Sequence, residues 1–483
     1  MQQLTGTDAL FLHLDSPRFS TGATIVFIYD QSARAKPLRF KEILQHLEKR
    51  VPQLPVLRRK LHRVPFDLDR PYWVDAPDFE IEHHVHHVRL PHPGDWRQFC
   101  ILAARLTTPH FDLTRPLWEM YVVEGLDHVA WLPEGSFAIL LRVHHAAVDG
   151  TSALRIMEEL HDESPEGRKE RRAPTRQVPE GPPGLATMLL RSGWNNARAA
   201  FEVPRAGVRI ASQFARSGDT GGDATGQVRA RDPVPKTRFN VRISPYRVFE
   251  SRLYDLRDVR AYKARVSGAT VNDAVLAICG GAMRRYLLAK SELPKESLVA
   301  LVPVNTRRRD VRAGAGGNDI TPATAPIHTE IADPIERLVA VREATAGLKA
   351  FLDAVGAKEM TDLTRHAPEA LLAFAGRMAS LLRFDAGALG RPLFNLGISN
   401  VPGPQKPLYL RGARLRHLSC VAPIADGMGL MIGVASYDGG IGLFPTACRD
   451  VVPDPEFLAS CLDESVEEIR GVLAAEPSRT VGP

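Results

Sequence analysis

The chain has 483 residues, too many for one ordinary hydrophobic core, because cores stop growing near roughly 250–300 residues. Hydrophobic residues make up 44% and charged residues 24%, a composition typical of globular proteins that excludes a disordered or fibrous chain. The net charge of +6 is small beside 62 basic and 56 acidic residues. No basic run is interleaved with aromatic residues, as a nucleic-acid-binding face requires. An acidic small ligand or an anionic membrane surface is therefore a better expected partner than nucleic acid.

The first third of the chain alternates between strand and helix patterns. Residues 23–29 form a β-branched and aromatic run that predicts a strand. Residues 40–50 carry apolar residues at helical spacing and predict a helix closed by Pro52. Residues 136–143 predict a buried strand that leads directly into two histidines, and residues 152–160 predict a helix. We therefore assign a first domain to residues 1–164.

A linker region is assigned to residues 165–238. It follows a charged stretch, residues 162–174, that has almost nothing to bury and is predicted to be mobile. Residues 185–216 are apolar at helical spacing and contain five arginines against one glutamate. They predict a basic amphipathic helix pair, broken at Pro204. The apolar face of this pair either lies on a membrane or packs on the enzyme.

The second domain is assigned to residues 239–483. Residues 272–290 and 334–352 are predicted to be helices, and residues 298–304 are predicted to be a strand. Residues 430–437 and 440–444 predict a strand pair around Asp438 and Gly439, a dipeptide typical of a type I′ turn.

The cysteine pattern and the N-terminal residues indicate the compartment. The five cysteines show no metal-ligand spacing and are expected to be reduced thiols. The first residues lack the basic and apolar regions of a signal peptide, and no window approaches the ~20 apolar residues of a spanning helix. We expect a cytoplasmic protein that does not cross a membrane.

The sharpest chemical signal is the sequence HHAAVDG at residues 144–150, an HHxxxDG pattern directly after a strand. An imidazole with a reference pKa near ~6.5 can take up a proton at working pH, which suits a general base. Asp149, beside Gly150, can fold back to fix the turn. The alternative is two core histidines satisfied by backbone carbonyls.

Two other patterns suggest binding sites but favour ordinary structure. His83, His84, His86 and His87 resemble zinc ligands. Alternate residues of a strand face opposite ways, so we predict solvated strand residues and no metal site. The glycine-rich residues 314–318 lack the Lys-Ser/Thr ending of a phosphate-binding loop and are predicted to be a loop near the channel.

Four further motifs accompany HHxxxDG in the same order as in a known family. They are LTGTDALFL at residues 4–12, FDLTRPLW at 111–118, VNDAVLA at 271–277 and SNVPGP at 399–404. With these motifs the chain resembles the bacterial wax ester synthase/acyl-CoA:diacylglycerol acyltransferase family, within the chloramphenicol-acetyltransferase-like superfamily. Thr5 replaces the usual serine of the opening motif. The resemblance covers nearly the whole chain.

The resemblance implies an α/β (α+β) fold with two chloramphenicol-acetyltransferase-like domains, each a mixed sheet with helices, and an active-site channel between them. It implies that acyl-CoA, as co-substrate, enters from one face and a long-chain alcohol or diacylglycerol from the other. His145 would take the hydroxyl proton and return it to the departing thiolate, with no covalent acyl-enzyme, cofactor or metal. Asp149 would pair with an arginine, for which Arg307 is one candidate.

Roles for the other motif residues follow from the same resemblance. His144 either supports the site or donates a hydrogen bond. Asn272 either stabilises the developing oxyanion or caps a helix. Gly150, Pro116, Leu117, Trp118, Ser399 and Asn400 are expected to line the substrate channel, where packing is favoured over chemistry.

Two alternatives to this function remain open at this stage. One is a condensation or polyketide-type acyltransferase that takes its acyl group from a carrier protein. Such an enzyme is expected to have neighbouring carrier or adenylation domains, whereas we expect this chain to stand alone. The other is a non-catalytic lipid-surface protein, which the intact HHxxxDG disfavours. Water-insoluble substrates imply peripheral association with a membrane or lipid droplet, and the oligomeric state is not predicted.

Overall fold

The structure of the protein is a computed structural model that describes residues 2–16, 18–148, 150–168, 181–219, 234–305, 320–355 and 392–475. The helices are Gly6–Leu14 (α1), Phe40–Arg50 (α2), Trp96–Thr107 (α3), Gly150–Leu160 (α4), Leu185–Asp219 (α5), Leu256–Lys263 (α6), Val271–Ala289 (α7), Pro334–Val355 (α8) and Pro455–Ala475 (α9). The strands are Gln2–Gln3 (β1), Gly22–Asp30 (β2), Arg59–His62 (β3), Tyr72–Asp75 (β4), Val85–Arg89 (β5), Trp118–Glu124 (β6), Phe137–His144 (β7), Arg247–Phe249 (β8), Arg252–Asp255 (β9), Val299–Asn305 (β10), Ile320–Pro326 (β11), Leu396–Pro402 (β12), Tyr409–Leu410 (β13), Ala413–Val421 (β14), Leu430–Tyr437 (β15) and Gly440–Cys448 (β16).

The first large sheet has six strands in the order β13-β14-β2-β7-β6-β5. Successive residues of β2 face opposite sides of this sheet, as the pleat requires. Phe27 and Tyr29 pack toward α2 and α4, whereas Val26 and Ile28 pack toward α3. Both faces are thus covered, which is why the predicted strands 23–29 and 136–143 are so apolar. Both predictions are confirmed as β2 and β7.

The second large sheet has the order β11-β10-β12-β15-β16-β8, and β9 also pairs with β16. Its helix α7 packs against both α8 and α9, and these helices cover the largest apolar core. The predicted hairpin is confirmed: β15 and β16 pair antiparallel, and Asp438 and Gly439 both take positive φ, at 46° and 79°. That combination is the type I′ geometry expected from the dipeptide.

The second half of the chain contributes two strands, β13 and β14, to the first sheet. β14 follows β12 of the second sheet in the chain, yet it pairs antiparallel with β2 of the first sheet. The apolar cluster around α3 likewise contains Phe249 and Phe444 from the second sheet. The two sheets therefore share a core at α3, while the division into contiguous residues 1–164 and 239–483 stays a prediction. A small third sheet, β1-β4-β3, flanks the first.

The prediction of a mobile stretch from residue 162 is wrong for its first seven residues. Asp162 exchanges two backbone hydrogen bonds with Tyr409, both of 2.8 Å. Its buried carboxylate accepts from Arg50 at 2.6 Å, and Arg168 pairs with Glu159 at 2.5 Å. Asp162 and Arg168 are therefore paired with the protein, whereas Glu163 and Glu166 are exposed as expected. Residues 169–174 lie outside the described part of the chain.

The predicted break at Pro204 is also wrong, because α5 runs as one helix from Leu185 to Asp219. A proline inside a helix removes one backbone hydrogen bond and favours a kink. Here the helical backbone continues on both sides of it.

Candidate active site

The two motif histidines lie where β7 ends. Every residue of β7 is buried, so the strand carries His144 into the interior, and His145 begins the following turn. The backbone N–H of His144 donates to the carbonyl of Leu117 at 3.0 Å, and that of His145 donates to the carbonyl of Thr21 at 3.3 Å. The residues preceding β6 and β2, the strands on either side, thereby fix both histidine backbones.

The His144 side chain is fully buried and held at both ring nitrogens. Its Nδ1 accepts from the backbone N–H of Ala146 at 3.0 Å, which places the hydrogen of the neutral ring on Nε2. Nε2 lies 3.0 Å from Thr21 Oγ1 and 3.3 Å from Asp15 Oδ2. Because both nitrogens are engaged within the protein, the geometry favours a supporting role for His144.

Asp15, directly after α1, completes this network. Its Oδ1 accepts from the backbone N–H of Thr21 at 2.7 Å and from the hydroxyl of Thr21 at 2.8 Å. Burial opposes ionisation of the Asp15 carboxyl, but hydrogen bonds from His144 and Thr21 outweigh it and hold the pKa below its usual value. An anion therefore lies beside His144 at neutral pH.

His145 is half-buried, and its imidazole stacks on Phe11, with ring centroids 5.2 Å apart and planes inclined by 25°. Burial, together with the neighbouring His144, lowers the pKa of His145 to about 4. The ring is therefore neutral at pH 7, and a neutral imidazole carries a lone pair that can accept a proton.

Phe111, the first residue of the FDLTRPLW motif, packs between a cation and a histidine. Its edge faces the His144 ring, with centroids 5.7 Å apart, and the guanidinium carbon of Arg142 lies 4.3 Å from its centroid. Arg142 is buried and pairs with Glu119 at 2.5 Å. Gly22 is the partner of His144 in β2, and a Cβ there would lie 2.7 Å from Phe111 Cε2. Phe111 can take this position because residue 22 is glycine.

Pro116, Leu117 and Trp118 are buried behind the histidines. The Trp118 indole N–H donates to the carbonyl of Leu57 at 2.7 Å, and the Leu117 carbonyl holds the backbone of His144. These contacts fit the expectation that the three residues contribute packing. Whether any of them touches substrate stays a prediction.

The prediction of solvated histidines in a strand is wrong for His84. β5 begins only at Val85, and His83 ends a short 3-10 turn. His84 is buried, its Nδ1 lies 2.8 Å from the carbonyl of Trp118, and its ring stacks on Trp118 with centroids 4.8 Å apart. Burial lowers the pKa of His84. The residue is part of the packing around Trp118.

The other predicted residues lie on elements of the second sheet. Asn272 is half-buried at the second position of α7. Its interpretation as the helix cap is wrong, because Thr270 is the N-cap and accepts from the N–H of Asp273 at 3.2 Å. Ser399 and Asn400 are half-buried in β12. Within the described residues, no hydrogen bond joins these three predicted side chains to either motif histidine, so their roles stay predictions.

The third member of the HHxxxDG motif cannot be located in the same way. Asp149 and its candidate partner Arg307 lie outside the described residues, as do residues 314–318. Gly150 is the first residue of α4. The expected ion pair of Asp149 stays a prediction.

Comparison with known families settles the class of enzyme. Residues 4–275 match the family model of the wax ester synthase/diacylglycerol acyltransferase catalytic domain, and residues 316–470 match the C-terminal domain of the same family. The chain belongs to the wax ester synthase/diacylglycerol acyltransferase family. It is therefore an O-acyltransferase, as the motifs predicted.

Individual relatives extend over the whole chain. A Mycobacterium tuberculosis protein that carries the name diacylglycerol O-acyltransferase is 31% identical over 477 residues, covering 97% of this chain and 90% of that protein. The O-acyltransferase WSD of Acinetobacter baylyi is 27% identical over 492 residues, covering 99% of this chain and 98% of that protein.

Solved structures confirm the predicted fold class. The wax ester synthase/diacylglycerol acyltransferase from Marinobacter aquaeolei superposes with a TM-score of 0.64 at 24% identity, covering 98% of this chain and 100% of that one. A starter condensation domain of rhizomide synthetase, solved in complex with C8-CoA and Leu-SNAC, gives a TM-score of 0.53 at 15% identity, with 99% and 95% covered. This family member therefore has the two-domain fold shared with condensation domains.

Sequence reasoning missed Asp15, Thr21 and Arg142 as parts of the site. Asp15 is 129 residues from His144 in the chain, and a single acidic residue behind a helix forms no pattern. Phe11 and Phe111 did stand inside recognised motifs. Their position in these motifs could have marked them as site residues. The motifs alone did not show that both aromatic rings contact the histidines.

Proposed function

We propose that this acyltransferase moves a fatty acyl group from acyl-CoA to the hydroxyl of a long-chain alcohol or diacylglycerol, with His145 as general base. The observation that carries the proposal is the neutral, half-buried imidazole of His145 at the end of β7, held by Phe11 and by the backbone of Thr21. The name of one relative supports diacylglycerol as an acceptor, the family description supports wax ester synthesis from a long-chain alcohol, and a structural neighbour was solved with C8-CoA.

The reaction needs one base and no other protein-derived reactant. His145 takes the hydroxyl proton while the alcohol oxygen forms a bond to the thioester carbonyl carbon. The carbon–sulfur bond then breaks, and the proton passes from the imidazolium to the CoA thiolate. The products are an ester and CoA, and His145 ends the cycle neutral. No cofactor takes part, since acyl-CoA enters as co-substrate.

His144 and Asp15 serve this step as positioning residues. Asp15 is anionic and lies 3.3 Å from His144 Nε2. His144 directly precedes His145, the proposed base, in the chain. Fixing residue 144 on three sides limits the directions that the His145 ring can take. Asp149 is proposed to hold the other side of the turn through an ion pair.

The test of this function is an assay with labelled palmitoyl-CoA and either hexadecanol or diolein. Formation of labelled wax ester or triacylglycerol, dependent on His145, is expected. A chain that transfers the acyl group to neither acceptor, or only from a carrier-bound donor, would contradict the proposal.

We further propose that the enzyme works as a peripheral protein on a membrane or lipid-droplet surface. One side of helix α5 faces the protein: Met188, Ser192 and Ala199 are buried. Leu190 and Trp194 lie on the opposite side and are 77% and 72% exposed. A helix in a globular protein ordinarily buries its apolar face. The exposure of Leu190 and Trp194 supports a membrane contact rather than packing of this face on the enzyme.

A loop tied to α5 exposes a further aromatic side chain. We define the apolar patch as Phe66, Leu190, Trp194 and Phe201; Phe66 is 93% exposed and Phe201 is 68% exposed. Asn196 donates to the carbonyl of Leu68 at 2.9 Å, which ties the loop to the helix. Exposed arginines on α5, Arg191 and Arg198, flank the patch. An apolar face with adjacent cations suits the surface of an anionic bilayer. Among the described helices, none is long and apolar enough to cross a membrane.

A further inference from the structure

A cavity of about 450 Å³ lies between helix α3 and strand β8, where the two halves of the enzyme meet. Its volume falls within the range of small-molecule sites. The floor is apolar and is formed by Cys100, Ala104, Pro109, Val248 and Phe249. None of the motifs recognised in the sequence contributes to it.

The rim of the cavity is cationic. Four arginines line it: Arg97, Arg105, Arg247 and Arg449. Two are already engaged, because Arg97 pairs with Glu456 at 2.9 Å and Arg247 donates to backbone carbonyls, including that of Arg18.

The other two arginines are available to a ligand. Neither Arg105 nor Arg449 forms an ion pair with any carboxylate in the described part of the chain. The guanidinium carbon of Arg449 lies 4.4 Å from the ring centroid of Tyr246, a residue that is 55% exposed and also lines the cavity. The rim thus offers two arginines for anionic oxygens and a flat guanidinium–aromatic pair for a planar ring.

We infer that this cavity binds the nucleotide end of the acyl-CoA donor, with Arg105 and Arg449 on its phosphates. Guanidinium groups bind phosphate through paired, charge-assisted hydrogen bonds and stack on flat rings. The apolar floor suits the purine and the adjoining carbon chain. The inference rests on the proposed function, because it assumes that acyl-CoA is the donor.

The position of the cavity relative to the histidines supports this assignment. Pro109 lines the cavity, and its carbonyl accepts from Arg142. Arg142 lies over Phe111, whose edge faces His144. The segment 109–111 and Arg142 therefore connect the cavity to the histidine site by direct contacts. A donor held by its phosphates here would have its thioester arm free to reach toward His145.

The test compares two donors that differ only in the nucleotide. Palmitoyl-CoA and palmitoyl-pantetheine are assayed with hexadecanol, using the full chain and the double variant Arg105→Gln/Arg449→Gln. The expected result is a roughly tenfold rise in KM for palmitoyl-CoA, the effect of losing about one charge-assisted hydrogen bond at an exposed site. The kcat value and the KM for palmitoyl-pantetheine should not change.

Two control variants define the interpretation. Arg105→Lys/Arg449→Lys keeps both charges and should recover most of the affinity, while Arg260→Gln removes an exposed arginine of α6 outside the cavity and should have no effect. Titration of free CoA by calorimetry gives the same comparison without turnover, so failure of the proposed reaction is separable from failure of this site. An unchanged affinity for CoA in the double variant would overturn the inference. Loss of binding to anionic phospholipid vesicles with unchanged CoA affinity would also overturn it and would assign the cavity to a lipid headgroup.

Discussion

Asp15 Oδ2 lies 3.3 Å from Nε2 of His144. The residue that follows the first helix is thereby joined to the last residue of β7, where the HHxxxDG motif begins. The same carboxylate accepts two hydrogen bonds from Thr21, which precedes β2. Three segments that are far apart in sequence are thereby fixed to one another beside His145. The network determines where the proposed base lies.

Replacement of Asp15 tests this positioning role. Asp15→Ala is expected to reduce the free energy of unfolding by about 1–3 kcal/mol, because it leaves buried partners without their acceptor, and to reduce kcat as well. The lowered pKa means that the ionised carboxylate stabilises the fold above the unfolded-state pKa of about 3.9, and that this contribution is lost as pH falls through the folded pKa. The full loss should therefore appear at pH 7 in urea denaturation and turnover assays.

Asp15→Asn is the matched control, since it keeps the shape and one acceptor oxygen but removes the charge. Its effects should lie between those of the wild type and Asp15→Ala. Wild-type stability together with wild-type turnover in Asp15→Ala would show that the network does not position the site.

His145→Ala is expected to remove turnover while leaving the protein folded. Loss of a general base typically reduces the rate by roughly 10²–10⁴-fold. Loss of the stacking contact with Phe11 should lower the melting temperature without unfolding the protein. Calorimetry with a non-hydrolysable acyl-CoA separates binding, which should persist, from chemistry. His83→Ala, an exposed histidine remote from β7, serves as control. Near-normal turnover in His145→Ala would refute the proposed base.

Many helices, strands and turns could be predicted from the sequence, because their local residue patterns are strong and match the structures that form. The helix predicted at residues 40–50 has those bounds in the structure, and the Asp438-Gly439 turn has the predicted conformation. Local patterns could not show that β14 would leave its own sheet and pair with β2, since strand pairing depends on partners distant in sequence.

The site was only partly predictable for the same reason. HHxxxDG located the histidines because its members are adjacent in sequence. Asp15 and Arg142 reach the site only through the fold. The error at residues 162–168 has another cause: a local signal for solvation was overridden by contacts with Arg50 and Tyr409 that the sequence pattern does not show. At Pro204 a local signal for a break was wrong, because the helix continues through it.

Gly22→Ala should disturb the site without touching a histidine. The added Cβ would lie 2.7 Å from Phe111 Cε2, and that ring is held on its other side by Arg142. Such overpacking costs about 1–3 kcal/mol of unfolding free energy, and displacement of Phe111 from His144 should lower kcat. Gly347→Ala in α8, where a Cβ meets nothing within 4 Å, is the control and should be neutral or slightly stabilising. Equal melting curves and rates for the two variants would contradict the packing argument.

The apolar patch of α5 is expected to hold the enzyme on vesicles. Phe66→Ser/Trp194→Ser should reduce flotation with vesicles of phosphatidylglycerol and phosphatidylcholine. Arg191→Glu/Arg198→Glu should reduce it further at low salt, since each basic residue near an anionic surface contributes about 1 kcal/mol. Leu288→Ser removes an exposed apolar residue at another place and should float normally. Turnover of a water-soluble short-chain alcohol should be unaffected in all three. Unchanged flotation of the patch variants would exclude this surface as the membrane contact.

The pH dependence of kcat/KM should report the pKa of His145. A general base works in its deprotonated form, and burial beside His144 lowers the pKa of this imidazole to about 4. Activity should therefore be flat from neutral pH down to mildly acidic pH and fall as pH drops through about 4, because kcat/KM reflects ionisation of the free enzyme. A histidine with a lowered folded pKa also destabilises the fold in acid: below the unfolded value of about 6.5 the unfolded chain binds the proton more readily. Rates must therefore be normalised to the folded fraction, measured by circular dichroism at each pH.

The residual activity of His145→Ala should lack the inflection. An inflection near the ordinary histidine value in the wild type would mean that the imidazole is solvated in the free enzyme and that the packing against Phe11 does not persist in solution.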